Sequence, residues 1–204
     1  MKIQLAIDRV TIDKAKEILK EASPYIDIIE VGTSLIKDYG VVSIKEIKKA
    51  FPNKTILADI KTIDEGAYEF EAAFNSGAHI ATVMGAASIN TLNACYKVSQ
   101  DFGKIMMIDL LEIGYEKINM LLGFTEAIFC IHAPSDGGEY TLTSLLKEFK
   151  EKFPQINKVA VAGSVNYDTV MVIKEASVDI VIIGSAITKA TYIGTAAKKF
   201  KEMI

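Results

Sequence analysis

Thr55-Ile56-Leu57-Ala58-Asp59-Ile60-Lys61-Thr62-Ile63-Asp64 is the stretch from which the rest of the chain can be read. It opens as an apolar run and then turns charged. Side chains alternate along a strand, so Asp59 and Lys61 are expected on one face of it. A carboxylate and an ammonium leaving a buried strand together are costly unless they pair or bind something polar. An ion pair that serves only the fold is the plain alternative. Asp64 lies past the strand end, where the chain turns into a helix.

Runs of the same kind recur on both sides: Ile3–Asp8, Ile26–Val31, Ile80–Met84, Ile105–Asp109, Ala127–His132, Val159–Ala162 and Ile180–Ile183. With Thr55–Asp59 they make eight. Amphipathic, helix-rich segments separate them. These are Ile12–Ala22 (behind Thr11, a suitable cap), Ser43–Phe51, Gly66–Ser76, Ser88–Asp101, Glu116–Leu122, Ser144–Phe153, Tyr167–Ala176 and Ile193–Met203. Strands that are apolar throughout belong to parallel sheets buried on both faces. Eight strand–helix alternations without a linker predict an α/β fold, a (β/α)8 TIM barrel forming a single domain over residues 1–204. An open doubly wound sheet is the second choice. It usually carries fewer strands and an early glycine fingerprint, and neither is present.

The polar residues then fall into place. Asp8, Glu30, Asp59 with Lys61, Asp109 and His132 end the first, second, third, fifth and sixth strands. Gly163-Ser164 and Gly184-Ser185 follow the seventh and eighth. In a barrel these ends converge on one face, where active sites are built. The two glycine loops occupy the usual phosphate corner, with Ser164 and Ser185 as further donors; ordinary strand-to-helix turns are the alternative. Glu30 and Asp59 suit a hard divalent cation such as Mg²⁺, which polarises a carbonyl or stabilises an enediolate. Asp8 is expected to bind a substrate hydroxyl or to support Lys61. His132 is read as a proton-transfer group, against the alternative of a packed histidine. His79 opens the fourth strand at the opposite face and is read as structural. Asp64 either favours its helix N-terminus or crosses a dimer interface into a neighbour's site.

Composition narrows the remaining classes. Of 204 residues, 50% are hydrophobic and 24% charged, the balance of a soluble globular protein. The net charge of −3, with no basic stripe, argues against nucleic-acid binding. No apolar run reaches membrane-spanning length, and the N-terminus enters a strand without a signal-peptide layout. Cys95 and Cys130 fit no metal spacing and read as buried hydrophobes, which implies a reducing, cytoplasmic setting.

With these residues in place the chain resembles the 3-hexulose-6-phosphate synthase and 3-keto-L-gulonate-6-phosphate decarboxylase family of the orotidine monophosphate decarboxylase superfamily. The likeness spans essentially the whole chain. It rests on Gln4-Leu5-Ala6-Ile7-Asp8, Ile29-Glu30-Val31-Gly32-Thr33, Asp59-Ile60-Lys61-Thr62-Ile63-Asp64, Ile131-His132, Val161-Ala162-Gly163 and Gly184-Ser185-Ala186-Ile187-Thr188. The resemblance implies that Glu30 and Asp59 are Mg²⁺ ligands and that Asp8 and Lys61 contact the substrate hydroxyl and the enediolate. It implies that Asp64 is donated to the partner's site in a homodimer, that His132 transfers the proton, and that Gly163 and Gly184 hold the phosphate. The implied reaction joins formaldehyde to D-ribulose 5-phosphate. The decarboxylase branch carries arginines where this chain has Ser185 and Ser135, which leans toward the synthase. A barrel that binds a sugar phosphate without turning it over is the third reading. Two departures stand out. Ser164 replaces a second glycine, and the loop from Ala133 to Tyr140 is short, with Pro134 beside His132.

Overall fold

The computed structural model describes residues 1–134 and 142–204. Eight parallel strands close into a barrel in sequence order: β1 (Lys2–Ile7), β2 (Ile28–Val31), β3 (Thr55–Thr62), β4 (Ile80–Met84), β5 (Ile105–Asp109), β6 (Ile128–His132), β7 (Val159–Ala162) and β8 (Ile180–Ile183). β1 closes on β8, with Lys2 opposite Ile180. Around them run α1 (Ile12–Ala22), α2 (Thr33–Tyr39), α3 (Val42–Ala50), α4 (Gly66–Asn75), α5 (Ile89–Asp101), α6 (Tyr115–Leu121), α7 (Leu142–Lys152), α8 (Tyr167–Glu175), α9 (Ser185–Thr188) and α10 (Ile193–Met203). The expected barrel is thus present. Thr11 caps α1, its hydroxyl accepting from Lys14 N–H at 3.2 Å. Two short helices, α2 and α9, are absent from the sequence expectation. None of the helices among the described residues is long and apolar enough to cross a membrane.

Strand alternation divides the core in two. One set of side chains packs outward against the helices, with Leu5, Ile29, Ile56, Phe70 and Phe200 among its fully buried members. A smaller set fills the lumen: Ile28, Leu57, Ile80, Met107, Ile128, Cys130, Ala160, Ala162 and Ile180. Because the side-chain period is two, the lumen residue one layer higher lies two positions on. Ile28 is followed in this way by Glu30, Leu57 by Asp59, Ile80 by Thr82, Met107 by Asp109 and Cys130 by His132. An apolar plug therefore lies directly below a polar layer at the carboxyl ends of the strands. Packing the plug removes the lower lumen from water, and the same alternation that buries it obliges the polar layer to face the mouth.

Candidate active site

The polar layer opens into a cleft of about 850 Å³. Its lining includes Asp8, Glu30, Asp59, Lys61, His132, Gly163, Ser164, Gly184 and Ser185. Nine of the ten expected site residues therefore meet in one cavity. Asp64 does not; it is exposed on the turn between β3 and α4, outside the lining. Ser135 and most of the loop after His132 fall outside the described residues.

Asp59 and Lys61 come together by a different route from regular alternation. Pairing between β3 and β4 runs Leu57 to Ile80 and Ala58 to Ala81, then jumps to Thr62 opposite Val83. The residues inside this irregularity include Lys61, whose φ is +48°. The bulge turns Lys61 back over Asp59. Lys61 Nζ donates to Asp59 Oδ1 at 3.0 Å and Oδ2 at 2.8 Å, and to Asp109 Oδ2 at 2.9 Å. Thr82 secures the bulge, accepting from Lys61 N–H at 2.9 Å and donating to Asp59 Oδ1 at 2.8 Å. Thr33, at the start of α2, donates to Asp59 Oδ2 at 2.7 Å. Burial works against the Lys61 charge, but the two carboxylates outweigh it and hold the ammonium above its ordinary pKa.

Asp109 extends the chain of charges to His132. Its Oδ2 lies 2.9 Å from His132 Nδ1, and its Oδ1 accepts from Leu111 N–H at 2.9 Å. Burial opposes ionisation of Asp109, but His132 and then Lys61 hold its carboxyl down at about 2. An ionised carboxylate has no proton to give, so the His132 hydrogen lies on Nδ1 and donates to it. In the neutral form of the ring, Nε2 then carries the lone pair.

Glu30 is the counter-case. It is buried, and among the described residues no cation lies within ion-pair distance of it. Burial first, and the neighbouring Asp59 charge second, push its carboxyl up to about 8. Gln4 donates to Glu30 Oε2 at 2.5 Å.

Asp8 sits on the rim just past β1. Its Oδ1 accepts from Ser34 N–H at 3.0 Å and from the Ser34 hydroxyl at 2.8 Å. A Cβ on Gly32 would fall on the Asp8 carboxylate, so only glycine admits this approach. Across the mouth, Gly163 has φ +101° and a Cβ there would meet the Ala133 carbonyl. Ser164, the departure from a second glycine, holds φ +51° and lines the cleft. The backbone therefore keeps the left-handed turn that a glycine would have adopted freely.

Sequence reasoning gave no role to Asp109, Thr33, Thr82 or Gln4, although Asp109 was placed at the rim. The detectable signal was the apolar–polar step two residues apart in β2, β3, β4, β5 and β6. His79, at the opposite end, is structural as expected: Nδ1 accepts from Ile56 N–H at 3.0 Å.

Comparison with known proteins follows the same lines. A curated 3-hexulose-6-phosphate synthase of Bacillus subtilis is 32% identical over 217 residues, covering 100% of this chain and 99% of that protein. A crystal structure of a 3-hexulose-6-phosphate synthase superimposes with a TM-score of 0.93 at 32% identity, covering all of both chains. A crystal structure of KGPDC from Streptococcus mutans, solved as a ligand complex, gives 0.91 at 25% identity, covering 99% of this chain and 96% of that one. The model of the Orotidine 5'-phosphate decarboxylase / HUMPS family matches residues 1–200, and the chain belongs to that family.

Proposed function

We propose that this chain, an enzyme of the carbon–carbon lyase class, adds formaldehyde to D-ribulose 5-phosphate, or cleaves the product in reverse, through a 1,2-enediolate with Mg²⁺ as cofactor. The observation that carries this reading is the unbroken series Asp59–Lys61–Asp109–His132 in a cleft whose rim holds both glycine loops. Its similarity to 3-hexulose-6-phosphate synthases over the full chain supports the same assignment.

The cation belongs at Glu30 and Asp59. Both are buried oxygen donors on adjacent strands, and Glu30 carries a desolvation penalty that a cation would offset. Among the described residues, no three His, Cys, Asp or Glu side chains form a metal cage. Two carboxylates, with water and substrate completing the shell, is the arrangement Mg²⁺ accepts. When bound, Mg²⁺ supplies Lewis-acid polarisation of the sugar carbonyl.

The protein's own groups do the rest. Gly163, Ser164, Gly184 and Ser185 receive the phosphate, and Asp8 accepts from a sugar hydroxyl. His132 Nε2 takes the proton as the C1–H bond breaks, and the electron pair passes into the enediolate. The Lys61 ammonium lies where that oxygen charge develops. C1 then bonds to the formaldehyde carbon, and His132 returns its proton to the new hydroxyl oxygen. Ser185 leaves this corner of the rim without the arginine of the decarboxylase pattern, which favours addition over decarboxylation.

A homodimer completes the reading. Ile63 and Tyr68, 55% and 72% exposed, flank Asp64, and a second copy covering this apolar surface would take Asp64 into its own cleft. Two free, buried cysteines suit a cytoplasmic setting. The test is consumption of formaldehyde with ribulose 5-phosphate, with and without Mg²⁺, beside incubation with 3-keto-L-gulonate 6-phosphate. Mg²⁺-dependent condensation is expected. Release of CO₂ in the second incubation would assign the decarboxylase activity instead. Binding of the sugar phosphate without turnover of either would leave a non-catalytic barrel.

A further inference from the structure

Gln4 breaks the layering of the lumen. In register it stands opposite Ile28, at a level where the neighbouring strands present apolar side chains to the plug. It is fully buried, and its Oε1 is the one buried side-chain polar atom among the described residues with no hydrogen-bonding partner. An unpartnered buried amide oxygen costs about 1–3 kcal/mol, and a methionine would fill the same volume without that cost. A polar group retained under such a penalty calls for a reason outside packing.

The other end of the amide supplies it. Gln4 Nε2 reaches diagonally up to Glu30 Oε2, 2.5 Å away. The donor is neutral, so it fixes the direction of the Glu30 carboxyl without placing a positive charge beside it. A lysine there would bind Glu30 as firmly but would compete with a cation for it. The carbonyl of the same amide is left to accept a hydrogen that no described residue of this chain supplies.

We propose that Gln4 is a positioning residue of the cation site. Its N–H orients Glu30 from below, and its Oε1 accepts from a water molecule brought in with the cation. The inference rests on the assignment of Glu30 and Asp59 as the cation's ligands. Groups that orient metal ligands typically contribute 10–100-fold to affinity.

The test is Mn²⁺ titration of the full chain, followed by the electron paramagnetic resonance signal of the free ion. Four proteins are compared: the unmodified chain, Gln4→Met, Gln4→Asn and Asp59→Asn. Melting curves confirm that each is folded. The unmodified chain is expected to bind, and Asp59→Asn, which removes a ligand charge, is expected to lose that binding. Gln4→Met removes the amide, and Gln4→Asn withdraws it by one methylene. Both are expected to weaken Mn²⁺ binding about 10–100-fold. Affinity within about twofold of the unmodified chain in either folded Gln4 variant overturns the inference and leaves the cation site standing. Absence of Mn²⁺ binding by the unmodified chain, or undiminished binding by Asp59→Asn, overturns both.

Discussion

His132 turns its Nδ1 toward Asp109, 2.9 Å from Oδ2, across two neighbouring strands that pair in parallel. Asp109 is held ionised by the same contact and by Lys61. The pair therefore settles which ring nitrogen carries the hydrogen and which keeps the lone pair. Orientation of a histidine base by a carboxylate is a recurring device in proton transfer.

Replacing Asp109 by asparagine is expected to leave the barrel folded and to lower kcat about 10²–10⁴-fold. The side-chain volume is kept and the negative charge is lost, so the preferred tautomer is no longer enforced. Ribulose 5-phosphate binding, measured by calorimetry, should stay within a few-fold. A kcat within about fivefold of the unmodified enzyme would remove Asp109 from the proton-transfer machinery.

Asp64 and Lys61 offer a complementation experiment. If the chain pairs as proposed, the Asp64→Ala and Lys61→Ala proteins should each be inactive. Mixed after mild dissociation, equal amounts should recover about a quarter of the original activity, because half the dimers are mixed and each carries one intact site. Mixtures as inactive as their parents would place Asp64 outside any shared site.

Ser164 and Gly163 make opposite predictions about stability. A non-glycine residue in the left-handed region costs about 1–2 kcal/mol, while glycine costs about 0.5–1 kcal/mol in unfolded-state entropy. Ser164→Gly should therefore stabilise the protein by up to about 1 kcal/mol in urea denaturation. Gly163→Ala meets both a φ of +101° and the Ala133 backbone. It should destabilise by about 1–3 kcal/mol and weaken binding of phosphate esters.

His79 predicts acid sensitivity at the far end of the barrel. Burial, with the Lys48 and Lys104 charges, holds its pKa below the ordinary value. The folded state thus binds this proton less readily than the unfolded chain. The stability concerned is present above the unfolded pKa, about 6.5, and is lost as the pH falls through it toward the lower folded value. Urea midpoints followed from about pH 7.5 to about pH 5 should decline, and His79→Gln should flatten that decline. Parallel slopes in the two proteins would mean that other groups cause it.

Much of this architecture was visible in residue order. The strands Ile80–Met84, Ile105–Asp109, Val159–Ala162 and Ile180–Ile183 coincide with expectation, because short β-branched runs between amphipathic helices leave little choice of register. α2 escaped because its seven residues follow β2 after a single glycine, too few to show a helical period. The bulge at Lys61 escaped because lysine carries no preference for positive φ; tertiary contacts with Thr82, Asp59 and Asp109 impose it. Asp109 stood in plain view at a strand end, but its partners lie 48 and 23 positions away. No local pattern could connect them.

The apolar plug beneath the polar layer has one more implication. It corks the cylinder from below, so among the described residues the cleft opens at the carboxyl ends of the strands. Any molecule that reaches the polar layer passes a rim to which Asp8, Ser164 and Ser185 contribute. Entry to the cleft is therefore in the hands of the residues that line its mouth.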